Sequence, residues 1–112
     1  MANQQQLDLL KQEVATAWNM WREEHPGTAI ELNGVDLSEA NLGEVNLAGA
    51  DLSYAVLREA DLSEANFRGA DLAGADLSNA DVREARLDWA LLEGALITPE
   101  QLSQARVGSD DL

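Results

Sequence analysis

With 112 residues and a formal net charge of −14, the chain is sized for one domain and is not suited to contact nucleic acid directly. It has no cysteine, which excludes disulfides and thiolate metal sites, and its single histidine leaves little for acid–base chemistry. No apolar run reaches membrane-spanning length and no secretory signal is visible, so a cytoplasmic location away from membranes is expected.

At the front, Leu7, Leu10, Val14, Ala17, Trp18 and Trp21 recur at helical spacing over residues 5–24, with polar residues between them. Pro26-Gly27 then ends the pattern. Residues 1–27 therefore predict one amphipathic helix, laid as a lid across whatever follows. The segment is acidic and lacks the basic face of a membrane-surface helix.

From Leu32 to Ile97 an apolar residue returns at every fifth position, through Leu52, Phe67, Val82 and Leu92 among others. Two residues before each stands a second small or apolar residue, from Ile30 and Val35 to Ala90 and Ala95. A helix turns about 100° per residue, so a five-residue step would spiral the leucines around the cylinder. A straight strand would send alternate units to opposite faces. Both series share one interior only if the chain bends between short extended segments. Gly34, Gly49, Gly69, Gly74 and Gly94 fall two residues after the central apolar residue, where a corner with positive φ belongs. Glu39, Glu44, Glu59, Glu64 and Glu84 fill that slot elsewhere, which predicts that some corners use a turn suited to an ordinary side chain. Such self-similarity is the mark of a solenoid stabilised by stacking of its units.

Ala-Asp-Leu-Ser-Glu, Ala-Asn-Leu-Gly-Glu and Ala-Asn-Phe-Arg-Gly resemble units of the pentapeptide-repeat protein family, a likeness that runs over residues 28–98. The run Ala17-Trp18-Asn19-Met20-Trp21-Arg22 resembles the front segment of short cyanobacterial members. The resemblance implies an all-β solenoid: a right-handed, quadrilateral parallel β-helix of about 3.5 coils, with four units per coil. Residues twenty apart would then stack, as Leu32, Leu52, Leu72 and Leu92 do in one inner ladder.

At the far end the register would turn Glu100 inward, which is costly for a lone carboxylate, so the coil should stop near Thr98. Thr98-Pro99-Glu100-Gln101 reads as a capped helix start, with Ile97 and Leu102 in the flanking staple positions. Residues 99–112 thus predict a short covering helix to about Arg106, ended by Gly108, and a frayed tail over 109–112. The alternative is one more irregular unit at Ala105-Arg106-Val107.

No catalytic constellation emerges. His25 precedes Pro26 and reads as an exposed turn residue, and Ser38, Ser53, Ser63 and Ser78 have no histidine to activate them. Adjacent acids could attract calcium, but the repeat lacks the calcium-binding nonapeptide pattern. Neither cofactor nor metal is expected, and the chain reads as not an enzyme.

Function then falls to the surface. One face carries Asn41, Asp61 and Asp81 beside Glu44, Glu64 and Glu84, with Arg83 as its local base. A neighbouring face, with Asn46, Asn66, Arg68 and Arg86, is less acidic. Trp89, Leu91 and Leu96 occupy outward slots near the last coil, where the terminal helix or tail is expected to cover them; left open, they would form a dimer or partner patch. These two groups are the candidate interaction surface. The leading expectation is a protein-binding scaffold, monomeric unless the C-terminal end pairs. The alternative is an acidic DNA mimic that binds DNA gyrase, a role implied by a branch of the resembled family.

Overall fold

The computed structural model describes residues 2–107. Between Ile30 and Ile97 the backbone repeats one element, a single extended residue followed by a two-residue turn. Parallel bridges join residues twenty apart in four ladders: Glu31–Asp51–Asp71–Leu91, Asp36–Val56–Asp76–Leu96, Asn41–Asp61–Asp81 and Asn46–Asn66–Arg86. Twenty residues per coil and five per unit place four sides on each turn of the chain. Each side gives one N–H to the coil before it and receives others, as where Leu52 N donates to Asp71 O at 2.8 Å and Asp71 N donates to Ala50 O at 2.9 Å.

The corners close by hydrogen bonds between units, such as Ala55 N to Leu52 O at 3.0 Å. A left-handed residue in the third place makes each of these a type II arrangement. The five glycines named above have φ between 68° and 73°. The glutamates do not use a different turn: Glu39, Glu44, Glu59, Glu64 and Glu84 take φ of 59–66°, as do Tyr54, Asn79 and Trp89 at 60–64°. The sequence-based expectation of a second corner type is thus corrected. The reason lies in the stacking. The left-handed turn aims the corner N–H at the next coil, as where Glu64 N meets Arg83 O at 2.9 Å, so each corner from Gly34 to Gly74, and Glu84, adopts it whatever its side chain; Asn79, Trp89 and Gly94 keep the turn with no such bond among the described residues. The strain of a side chain there, about 1–2 kcal/mol, is offset by a bond that any other backbone would lose.

Inside, the leucine and alanine series face one another and are buried without interruption from Ile30 to Leu87. Phe67 fills one central slot with no exposed surface. Each such leucine contributes about 1.5–3 kcal/mol of burial before the entropy of ordering. The two series pack at the axis, which leaves the outer side chains as the surface available for recognition.

The front segment is two helices, α1 (Gln4–Leu10) and α2 (Ala15–Glu24), and not the single lid expected. The chain breaks at Glu13, which has φ 59°. That break lets Leu10 and Trp18 both reach the core, where each is 1% exposed. Side chains from this segment meet the polar edge of the first coil. Asn3 N donates to Glu31 O at 2.7 Å, and Gln6 accepts from Glu31 N and donates to Ala29 O, both at 2.8 Å. On the adjoining side Trp18 Nε1 donates to Asn46 O at 2.7 Å, Asn19 Oδ1 accepts from Asn46 N at 2.7 Å, and the Arg22 guanidinium forks onto Asn46 O and Ala48 O at 2.9 Å each.

At the other end α3 (Pro99–Gln104) starts with the expected capping box between Thr98 and Gln101. It is shorter than expected and replaces one side of the coil. Afterwards the chain rejoins the ladder: Arg86 bridges Arg106, with Arg106 N donating to Ala85 O at 2.7 Å. Helix and extra unit, posed as alternatives from the sequence, are therefore both present. Gln101 makes this possible. In earlier coils the carbonyl before each bridge residue takes a backbone N–H, as Ala60 O does from Asp81. Ala80 O instead takes the side-chain amide of buried Gln101 at 3.1 Å. The expected helix end at Gly108 and the frayed tail over 109–112 lie outside the described residues.

Candidate functional site: outer corners and ends of the coil

The outward Asp and Asn side chains do a local job first. Asp51, Asp61 and Asp76 each accept from both the backbone N–H and the hydroxyl of the serine two residues on, with hydroxyl distances of 2.5–2.7 Å. Asn46 and Asn66 make the backbone half of the same bond. Such side-chain turns explain why Asp and Asn recur before the central leucine. Hydrogen bonds from Ser38 and Ser78 hold the Asp36 and Asp76 carboxyls below the usual carboxylate range. Arg83 does the same for Asp81 through a two-pronged contact at 2.9 and 2.7 Å. The hydroxyls of Ser38, Ser53, Ser63 and Ser78 are thus engaged with carboxylates.

The glutamates differ. Glu44, Glu64 and Glu84 stack along one exposed corner beside the Asn41–Asp61–Asp81 side, as expected. Their side chains take no hydrogen bond from the described residues, and Glu84 alone has an ion pair, with Arg106 Nε at 3.7 Å. Glu39 and Glu59 stack along the corner on the opposite edge of the same side, so the acidic surface is two corners wide. Reading the sequence in columns of twenty would have found this second corner. An open depression of about 570 Å³ lies against this surface, lined by Ser63, Glu64, Arg83, Glu84, Ser103 and Gln104.

On the less acidic face, Arg68 and Arg86 both approach Asp88 Oδ2 at 3.6 Å. Asp88 sits in an outward slot yet is only 5% exposed, and its Oδ1 and the Arg86 Nε lack hydrogen-bond partners among the described residues. Sequence reasoning missed Asp88, because nothing in a one-dimensional pattern says that two arginines close over it.

Trp89, Leu91 and Leu96 are 60%, 54% and 58% exposed. α3 lies instead against the side of Leu77 and Ala80, to whose carbonyls Gln101 donates. The expectation that the terminal helix or tail covers these three residues is corrected for the helix, since the side it replaces is the one that follows Asp81 in register; the tail over 109–112 lies outside the described residues. Trp89 and Leu91 lie on sides away from the acidic corners, whereas Leu96 continues the Asp36–Val56–Asp76 side that ends at the Glu39 and Glu59 corner. His25 is exposed, stacks on Trp21 with ring centroids 4.5 Å apart and meets Trp21 O through Nδ1 at 2.9 Å. Among the described residues no cluster of acids and histidine is arranged to hold a metal ion, and no helix is long and apolar enough to cross a membrane.

Comparison with known proteins follows the same lines. The family model for pentapeptide repeats matches residues 30–69 and 60–98. Solved structures similar to the chain include HetL, a pentapeptide repeat protein involved in heterocyst differentiation regulation from Nostoc sp. strain PCC 7120. It shows 31% identity over 67% of this chain and 48% of HetL, with a TM-score of 0.43. A pentapeptide repeat protein from the Arabidopsis thaliana thylakoid lumen shares 30% identity over 68% of this chain and 60% of its own, with a TM-score of 0.32. Another from Nostoc PCC 7120 shares 27% over 80% and 93%, with a TM-score of 0.27. The chain thus spans about half the length of HetL. No functionally curated protein matches the sequence. Repeat spacing, the twenty-residue ladder and the family match agree, and the chain belongs to the pentapeptide repeat family.

Proposed function

We propose that the chain is a non-enzymatic interaction scaffold, and that a protein partner with a basic surface docks on the corners of Glu39 and Glu59 and of Glu44, Glu64 and Glu84, with Asp61 and Asp81 between them. The observation that carries this reading is the stacking of glutamates that, Glu84 apart, have no ion pair among the described residues, on a backbone locked at each of their corners. Like charges repeated at strand spacing, about 4.8 Å, repel by roughly 1 kcal/mol per adjacent pair even in water-like dielectric. A basic partner relieves that repulsion and meets a surface already organised, so little ordering entropy opposes binding. The role named for HetL in the regulation of heterocyst differentiation accords with a scaffold, although this chain spans only about half of HetL.

The same reading takes the coil as a right-handed quadrilateral β-helix of about 3.5 turns, since residues 28–98 are wound at twenty per turn. Its front would be capped in part by α1 and α2 and its end by α3. The chain is read as a cytoplasmic monomer that needs no cofactor. The experiment is affinity capture from source-cell extract with the wild-type chain and the E44Q/E64Q/E84Q variant, both checked for an unchanged circular-dichroism spectrum and cooperative unfolding. A partner captured by the wild type and lost with the variant is the expected result; identical capture by both overturns the acidic-corner reading. The gyrase alternative makes its own prediction, inhibition of supercoiling at micromolar protein, and absence of any effect removes it.

A further inference from the structure

The first coil is closed on only two of its four sides. Each side of the coil turns one N–H and two C=O groups toward the preceding coil, as Asp51 N, Asp51 O and Ser53 O do toward Ile30, Leu32 and Gly34. In the first coil α1 and α2 supply partners for all three groups of the Asn46 side and for Glu31 N and Glu31 O, leaving Asn33 O on the Glu31 side without a partner among the described residues. The corresponding groups of the other two sides, Asp36 N and O with Ser38 O, and Asn41 N and O with Gly43 O, have no hydrogen-bond partner among the described residues. The open edge is therefore rich in acceptors, four carbonyls against two N–H groups. Beside the Asp36 side runs a groove of about 390 Å³, with Lys11, Glu13, Asp36, Ser38 and Glu39 at its walls and Leu37 and Ala40 at its floor. Three carboxylates against one ammonium give it a net negative charge.

The chain itself shows what such an edge binds. Arg22, partly buried, forks its guanidinium onto the two carbonyls of the Asn46 side, Asn46 O and Ala48 O, at 2.9 Å each. Asp36 O and Ser38 O, and likewise Asn41 O and Gly43 O, are the same pair of carbonyls on equivalent units. We propose that these two open sides are docking positions for arginine side chains of a partner's extended basic segment, held by the carbonyl pairs and by the carboxylates of Glu13, Asp36 and Glu39. A guanidinium presents paired donors in one plane, which an ammonium does not. The edge therefore selects arginine over lysine, whereas simple attraction to an acidic surface would not. The site rests on the scaffold reading and extends it to the front end of the coil; it shares Glu39 with the acidic corners and is told apart from them by Glu64 and Glu84, which lie away from it along the stack.

The test is nuclear magnetic resonance titration of the full chain with the peptide acetyl-Gly-Arg-Gly-Arg-Gly-amide and its lysine and citrulline counterparts. The expected result is shifts confined to the amides of residues 36–43. Weakening should be at least about fivefold with lysine, with little binding left for citrulline. E13Q/E39Q should weaken the arginine peptide about three- to tenfold, and E64Q/E84Q should leave it unchanged. Hydrogen exchange of the free chain adds a second readout: the Asp36 and Asn41 amides exchange fast while those of Glu31 and Asn46 are protected. Equal binding of arginine and lysine peptides, shifts centred on Glu64 and Glu84, or protected Asp36 and Asn41 amides in the free chain would each overturn the proposal.

Discussion

Replacing Gln101 with leucine keeps the bulk of a buried side chain and removes only its amide. Three backbone contacts go with it: Ala80 O at 3.1 Å, Leu77 O at 2.7 Å and Thr98 N at 2.8 Å. Leu77 O keeps a second donor, Ala80 N at 3.0 Å, so it is not orphaned. Ala80 O and Thr98 N lose their partners. A buried group left unpaired costs about 1–3 kcal/mol, and loss of half a capping box about 1 kcal/mol more. The expected loss is therefore about 2–4 kcal/mol, or roughly 10–25 °C in melting temperature for a domain of this size. Urea unfolding measures it, with an unchanged slope showing that the same surface unfolds. The damage should start at the C-terminal end. Amides of Glu84 and Leu87, bonded to Gln104 O and Arg106 O, should lose hydrogen-exchange protection before those of Leu52 and Leu57. Gln104→Leu, at an exposed side chain, is the control. A shift below about 0.5 kcal/mol for Gln101→Leu, or equal loss of protection along the coil, would refute the assignment of Gln101 as the group that replaces a missing backbone donor.

The remaining predictions concern the front edge, the corners, the carboxylates and the apolar end. Gln6→Leu removes the partners of Ala29 O and Glu31 N and should cost about 1–3 kcal/mol by chemical denaturation. Gly49 has φ 70° and open space where a Cβ would sit, so Gly49→Ala should cost about 1 kcal/mol from backbone strain alone; a neutral result would contradict the left-handed corner. Glu64→Gln should raise the melting temperature at low ionic strength and less so at physiological salt, where the wild type itself gains stability. The Asp36 and Asp76 carboxyls are held low by serine hydroxyls, so this contribution is present above the unfolded carboxylate pKa of about 3.9 and lost as pH falls through the depressed folded value. S38A/S78A should therefore melt below the wild type at pH 6, with the gap narrowing as pH falls below the unfolded carboxylate pKa of about 3.9; a gap that stays constant from pH 6 into strong acid contradicts the assignment. Light scattering before and after Trp89→Ser with Leu91→Ser should give monomer mass both times, and a dimer abolished by the pair would assign the exposed apolar trio to self-association.

The interior was legible because the five-residue spacing leaves no other way to hide Leu32, Leu52 and Leu72 together with Ala50 and Ala70. Thr98, Pro99 and Gln101 likewise announced α3, since capping chemistry is local. The break between α1 and α2 was hidden. It falls at Glu13, a left-handed residue with neither glycine nor proline to mark it, and is imposed by the need of Leu10 and Trp18 to reach one core. The uniform corner was hidden for a related reason: local preference disfavours glutamate at positive φ, and only the bond to the next coil overrides it. On the surface, Glu44, Glu64 and Glu84 were found in sequence, whereas the second acidic corner, the buried Asp88 and the open front edge needed the register of the stack.

The most direct test is the scalar coupling transmitted through backbone hydrogen bonds in solution. Stacking at twenty residues per coil places Leu52 N on the carbonyl carbon of Asp71, Asp71 N on that of Ala50 and Leu87 N on that of Arg106. Couplings between these pairs are the predicted result. Couplings from each amide to the carbonyl four residues earlier between Ile30 and Ile97, or none across residues 50–76, would contradict the coil and every surface built on it.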